Sequence, residues 1–136
     1  MSASRRRGAS RLDPIAAAWG GLVGAIGLMT GSRREMASRL VITCAAFAVG
    51  GFLAGVRTID RRAAHALASW AVGHAMWVGF VVLSAIADGL GGPDPPSLTP
   101  GGHTDTLTAA AAALAAALAG GWLANSWLRP GRQGRR

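Results

Sequence analysis

The sequence predicts an all-α protein, a polytopic transmembrane four-helix bundle. Four long stretches of the 136 residues contain almost no charge, although 15% of the chain is charged. The arginines gather beside those stretches, and hydrophobic residues make up 51% of the chain. A chain of this size has too little polar surface to cover four apolar helices in water. The helices are therefore expected to face lipid.

The first two predicted spans are short and have charged residues at their boundaries. Span one covers about 15–31 and follows Asp13 and Pro14, because aspartate caps a helix and proline is tolerated in its first turn. Span two covers about 40–56. A helix of about 17 residues, at ~1.5 Å per residue, is roughly 25 Å long, against a hydrocarbon core of about 30 Å. Both spans are therefore expected to stand nearly upright.

The last two predicted spans enclose an acidic loop. Span three covers about 63–87, and span four covers about 107–128. Span four is followed by Arg129 and Pro130, where proline cannot continue a helix. Alanine dominates span four, and its insertion into lipid contributes little free energy. Span four is therefore expected to depend on packing against the other helices for its stability. The loop 88–106 contains no arginine and is predicted to be external.

The placement of arginine predicts the orientation, because translocation of arginine across the membrane is disfavoured. The basic tails 1–14 and 129–136 are predicted to lie in the cytoplasm of a bacterium, so both termini of this inner-membrane protein are cytoplasmic. The loop between spans two and three belongs on the same side. Arginines at the cytoplasmic boundary are expected to act as anchors and to meet anionic lipid headgroups. These anchors are Arg57, Arg61, Arg62 and Arg129.

Loop one, 32–39, is the exception to this orientation. It carries Arg33, Arg34 and Arg39, yet a four-span topology makes it external. The alternative keeps loop one inside the cell, with the first two spans forming a re-entrant hairpin.

A weak internal similarity links the two halves of the chain. The segment 48–55, AVGGFLAG, matches the segment 118–125, LAGGWLAN. A duplicated hairpin would explain this match as a parallel repeat. The alternative is chance similarity between two stretches rich in alanine and glycine.

Small residues at four-residue spacing predict the packing faces of the helices. Helices in lipid associate through close backbone contact, which small residues permit. We expect these faces to build the intramolecular bundle, with a homo-oligomer or a membrane-protein partner as the alternative. The predicted packing positions are Gly20, Gly24, Gly27, Gly31, Gly51, Gly55, Ser69, Gly73 and Gly121.

One candidate polar site lies inside the membrane. His74 is near the middle of span three, with Trp70 and Trp77 on the same helical face. An ionisable residue at this depth is a functional hypothesis by default. The three residues predict either a proton or cation site or a structural histidine packed between aromatic rings.

Other chemistries are not expected. The net charge of +8 is divided among clusters beside apolar segments, so it does not form the continuous basic face of a nucleic-acid-binding domain. His65 lies on the opposite face of span three from His74, so the two cannot share a metal, and His65 is expected near the membrane interface. No cofactor is implied. No acid–base pair or GxSxG motif accompanies the serines and histidines, so the chain is not expected to be an enzyme.

Part of the chain resembles a known group of proteins. The segment Gly50-Gly-Phe-Leu-Ala-Gly-Val-Arg57, followed by Ala64-His-Ala-Leu-Ala-Ser-Trp70, resembles small bacterial multi-span membrane proteins of unknown function. In those proteins a GG-aromatic-x-AG turn with a basic residue precedes a helix that opens on His-Gly. This chain has Ala66 in place of that glycine and Val56 before the arginine. The resemblance implies a four-helix membrane protein and no particular activity.

Three functions are consistent with these features. The first is a non-catalytic accessory or interaction protein of the bacterial cell membrane, with the lipid bilayer and other membrane chains as its partners. The second is a small oligomeric channel or transporter that uses the His74 face. The third is a phage holin, suggested by the small size, the several spans and the basic tail.

Overall fold

The computed structural model describes residues 12–32, 34–57, 61–91 and 103–127. No β-strand occurs in these segments. Each of the four helices is long and apolar enough to cross a membrane, which confirms the predicted all-α architecture with four membrane-spanning helices. The helices are α1 (Pro14–Gly31), α2 (Met36–Arg57), α3 (Arg62–Asp88) and α4 (His103–Trp127).

Helix α1 begins as its sequence predicts. A carboxylate oxygen of Asp13 accepts hydrogen bonds from the backbone N–H groups of Ile15 (3.0 Å) and Ala16 (3.3 Å). Pro14 occupies the first turn, where its missing N–H leaves no helical hydrogen bond unmade. The aspartate and proline together therefore define the start of the helix.

Helices α2 and α4 begin earlier than expected. Helix α2 starts at Met36, so Arg39 lies in its first turn and not in loop one. Its 22 residues correspond to about 33 Å, so the helix is longer than the 17-residue second span expected from the sequence. Helix α4 starts at His103, which shortens the predicted loop 88–106 at its end. The tails 1–11 and 128–136, with Arg129, lie outside the described residues.

The four helices form a rhombus in the order α1, α2, α4, α3. Helix α1 packs against α2 and α3, helix α4 packs against the same two helices, and α2 touches α3 across the short diagonal. In the described part of the chain, α1 and α4 are not in contact. Helices α1 and α3 run parallel, as do α2 and α4, because their contacting residues increase in number in the same direction.

The two similar segments, 48–55 and 118–125, lie against each other in the contact between α2 and α4. If a two-fold axis through this contact exchanged the two hairpins, α1 and α3 would lie on opposite sides of the axis, at distant corners of the rhombus. Instead α1 and α3 share one of the larger interfaces of the bundle. The helix arrangement therefore lacks the two-fold symmetry of a parallel hairpin repeat.

Backbones meet directly at two crossings. At the first, a Cβ atom placed on Gly20 would lie 2.7 Å from the carbonyl oxygen of Gly50, and a Cβ on Gly50 would clash with the carbonyl of Gly20. At the second, Gly51 faces the carbonyl of Ala117, and Gly120 faces that of Ala48. Only glycine allows such an approach, and the short distance between backbones strengthens the dispersion attraction that holds helices together in lipid.

Phe47 is the largest side chain in the centre of the bundle, and it is fully buried. It projects from α2 into space left by Gly24 of α1 and Gly73 of α3, where a Cβ atom would lie 2.5 Å and 3.0 Å from its ring. Ala113 and Ala117 of α4 complete this cluster. One face of the alanine-rich helix α4 is thus buried against its neighbours.

Candidate functional site

His74 lies half-buried in the middle of α3 and is held by its own helix. Its Nδ1 atom is 2.9 Å from the carbonyl oxygen of Trp70. A carbonyl only accepts, so Nδ1 carries the hydrogen and donates it. In the neutral ring, Nε2 is then the acceptor. His74 is thus bonded to the preceding turn of its own helix.

Aromatic rings from two helices enclose His74. The ring of Phe47 stacks on it with centroids 5.1 Å apart, and the ring of Trp70 lies 4.6 Å away at a tilt of 44°. Trp77, the second predicted flanking residue, is buried and stacks on Phe80 at 5.8 Å. The structure thus brings His74 and Trp70 together as predicted from helical spacing, and it adds Phe47, which helix periodicity within one segment cannot reveal.

Trp70 also joins two helices. Its indole N–H donates to the carbonyl oxygen of Ala110 on α4 at 3.1 Å. A hydrogen bond in a lipid environment has no water to compete with it, so this contact favours one register between α3 and α4. Because Trp70 bonds to α4 and its ring contacts His74, it also helps to hold the His74 ring in place.

A cavity of about 220 Å³ adjoins His74 at the end of the bundle where α1 ends and α2 and α4 begin. We call it the polar cavity. Three of its lining side chains are polar or ionisable, namely Arg39, His74 and Thr106. The remaining lining residues are apolar: Leu28, Trp77, Val78, Ala109 and Ala110. Sequence reasoning missed Arg39 and Thr106, because both were assigned to loops and only the early starts of α2 and α4 bring them to the cavity.

All nine predicted packing positions are buried at helix contacts. Three further glycines make equally close contacts. In the sequence, each of them is adjacent to one of the predicted packing glycines. A glycine pair leaves the packing face uncertain by one residue, or about 100°. In each pair, both glycines lie at a contact between helices. The additional residues are Gly21, Gly50 and Gly120.

His65 is buried, with 2% of its surface exposed, at the end of the bundle where α1 and α3 begin. Its Nδ1 atom lies 3.0 Å from the carbonyl oxygen of Arg61, and its Nε2 atom accepts from the backbone N–H of Asp13 at 2.8 Å. Both ring nitrogens are therefore used in the neutral form. The prediction placed His65 near the interface and did not foresee this bond between α1 and α3.

Three further polar side chains contribute buried atoms to the interior of the bundle. The hydroxyl groups of Thr43 and Ser69 and the amide oxygen of Asn125 are buried without a hydrogen-bond partner. Among the described residues, no group of three histidine, cysteine or acidic side chains could hold a metal ion. Arg57 and Arg61 are exposed and Arg62 is half-buried, all at the end opposite the polar cavity.

Four apolar helices packed around small residues, with interior histidines and a tryptophan bonded to backbone groups, define a small multi-pass integral membrane protein. Comparison of the chain with protein-family models, with curated proteins and with solved structures gave no match. Its function is therefore inferred from its own surfaces and cavities.

Proposed function

We propose that this protein is a non-catalytic accessory protein of the bacterial inner membrane, which acts by lateral association with another membrane-embedded chain or a second copy. This role agrees with the resemblance of 50–70 to small bacterial multi-span membrane proteins. The observation that carries the proposal is a groove on the outer face of the bundle, between α2 and α4.

The groove has a volume of about 420 Å³ and an apolar lining. Small residues, Ala48, Ala119 and Gly120, line it beside larger ones such as Trp122. Trp122 is 70% exposed. Small residues let a second backbone approach closely, and a neighbouring aromatic ring provides contact area. A groove of this shape suits an apolar helix of a partner.

The interior polar groups support a structural role for the bundle itself. His65 and Trp70 bond to backbone groups of other helices, which favours one register between them, and His74 bonds to the preceding turn of its own helix. A rigid bundle of this kind presents a constant outer surface, as an interaction protein requires.

The charged end of the bundle supports the proposed orientation. Arg57 and Arg61 are exposed at the junction of α2 and α3, next to the start of α1 and the end of α4. Arginine is retained in the cytoplasm during insertion, so this end faces inward. The polar cavity then opens toward the outer face, with loop one external.

Site-specific photo-cross-linking in native membranes tests the proposal. A benzophenone amino acid replaces Trp122 in the groove or, as the matched control, Leu83, which is 67% exposed on α3. We expect discrete protein adducts from position 122, reduced several-fold by Ala119→Leu, which fills the groove. Position 83 is expected to give lipid adducts. Lipid adducts alone at both positions would contradict lateral association through the groove.

The polar cavity favours a second candidate, a small channel or transporter that uses His74. Against a pathway through a single bundle, Phe47, Ala113 and Ala117 are fully buried beside this site. Proton flux into proteoliposomes distinguishes the two functions. A flux that His74→Ala abolishes would favour the channel, and a flux equal to that of protein-free liposomes would exclude it.

A further inference from the structure

We propose that the contact between His65 and Asp13 is a pH-sensitive connection, in which protonation of the histidine ring releases the start of α1 from α3. The contact lies at the end of the bundle opposite the polar cavity. It joins a side chain in the first turn of α3 to the backbone that leads into α1. The proposal does not involve the groove between α2 and α4, so it does not depend on lateral association.

The two partners of the His65 ring determine where its hydrogen lies. The backbone N–H of Asp13 can only donate, and its nitrogen is 2.8 Å from Nε2, so Nε2 carries no hydrogen. The carbonyl oxygen of Arg61 can only accept, at 3.0 Å from Nδ1, so Nδ1 carries the hydrogen. A second proton binds at Nε2, where it would face the N–H of Asp13. Two donors cannot bond to each other, so the protonated ring and this contact exclude each other.

The surroundings of His65 also disfavour a charged ring while the contact is closed. Only 2% of the residue is exposed, so an imidazolium would lie out of reach of water. In the described part of this end of the bundle, α4 contributes no charged group, and the other helices contribute Asp13 (before α1), Arg57 (α2), Arg61 and Arg62 (α3). Asp13 is the one carboxylate among these residues. One of its oxygens already accepts the two N–H bonds that cap α1.

Acid is therefore expected to open the contact. An imidazole that reaches water changes its charge between about pH 5 and pH 8. The open form, in which the ring has left the N–H of Asp13, binds one proton more than the closed form. The form that binds more protons is favoured as the pH falls. The contact is thus present at neutral pH and lost in mild acid.

A buried hydroxyl group in the same interface favours opening. Ser69 lies one turn after His65 on α3 and packs against Gly20 of α1. Its Oγ atom is buried and has no hydrogen-bond partner. A hydroxyl in this state is unfavourable, and it regains hydrogen bonds when water reaches it. Separation of α1 from α3 at this end admits water toward Ser69, which offsets part of the cost of opening.

Distance measurements between pairs of spin labels, by pulsed electron paramagnetic resonance, test the proposal. The full chain carries the substitution Cys44→Ala and is reconstituted in lipid nanodiscs. Labelled cysteines replace Ile15 and Leu67, which are exposed near the starts of α1 and α3. We expect their distance distribution to shift to longer distances between about pH 7.5 and about pH 5, and to return when the pH is restored. The control pair, at Ile26 and Leu83, is exposed on the far halves of the same helices and is expected to stay unchanged.

Three variants assign the shift to His65. His65→Gln keeps an oxygen that accepts and an N–H that donates but does not titrate, so it is expected to abolish the shift. His74→Gln removes another histidine of α3 and is expected to retain it. His65→Phe offers no acceptor to Asp13 and is expected to show the longer distances at both pH values. A wild-type distribution that does not change with pH, a shift that persists in His65→Gln or disappears in His74→Gln, or an equal shift of the control pair would overturn the proposal.

Discussion

The backbone N–H of Asp13 donates a hydrogen bond of 2.8 Å to Nε2 of His65, which joins the first residues of α1 to the first turn of α3. The same aspartate caps α1 with its carboxylate. His65 donates from Nδ1 to the carbonyl of Arg61, a residue with a left-handed backbone (φ 62°). One histidine thus connects the start of α1 with Arg61, the residue that precedes α3.

Replacement of His65 by Phe is expected to destabilise the bundle. The ring volume is nearly kept, but the Asp13 N–H loses its acceptor in a part-buried place, at a cost of up to about 1–3 kcal/mol. Thermal unfolding in detergent measures the effect. His65→Gln keeps an oxygen that can accept, and it is expected to recover part of the loss. A His65→Phe variant as stable as wild type would show that this bond contributes nothing.

At the crossing of α1 and α2, the addition of a single methyl group is expected to destabilise the bundle. Gly50→Ala places a Cβ against the carbonyl of Gly20, which forces the helices apart at a cost of about 1–3 kcal/mol. Gly79→Ala is the matched control, because a Cβ at Gly79 meets open space. It is expected to stabilise α3 by about 0.5–1 kcal/mol, as alanine does in a helix. Unfolding midpoints of the two variants that shift in the same direction would contradict this packing.

Removal of the central ring is expected to be the most damaging apolar substitution. Phe47→Ala leaves a cavity between Gly24, Gly73 and His74, at a cost of about 3–5 kcal/mol. Phe47→Leu retains much of the volume and is expected to cost less. Denaturant titration of both variants in mixed micelles provides the comparison. Equal stability of the alanine and leucine variants would argue that the ring is not packed in the centre.

Trp70→Phe is expected to loosen α4 selectively. The substitution removes the indole N–H and leaves the carbonyl of Ala110 without that donor, while the ring contact with His74 is largely kept. The expected cost is about 0.5–1.5 kcal/mol. Hydrogen exchange resolved by segment should show faster exchange in α4 than in α1. Uniform or unchanged exchange would contradict a bond that acts on α4.

Much of the fold follows from the sequence, because hydropathy and charge are local. Uncharged stretches mark the four helices, and Asp13 with Pro14 marks the start of α1. The start of α2 is harder to predict from the sequence, because Arg39 looks like a loop residue when charge alone is counted. A long arginine in the first turn of a helix reaches polar surroundings through its flexible stem, so the helix continues past it.

The candidate site depends on contacts between distant segments. Helical spacing brings Trp70 to His74, but Phe47 and Arg39 come from α2 and Thr106 from α4. Their convergence requires the order α1, α2, α4, α3, and the hydropathy of separate segments does not say which helices are neighbours. The bond between Asp13 and His65 was missed for the same reason, since 52 residues separate its partners.

Cysteine labelling tests the central claim, that these helices cross the bilayer, most directly at α2 and α3. In a Cys44→Ala background, which contains no other cysteine, single cysteines replace Arg34, Arg57 and Leu90. With a membrane-impermeant maleimide on intact cells, we expect labelling at positions 34 and 90, and labelling at 57 only after permeabilisation. Labelling of positions 34 and 57 from the same side would contradict the four-span bundle.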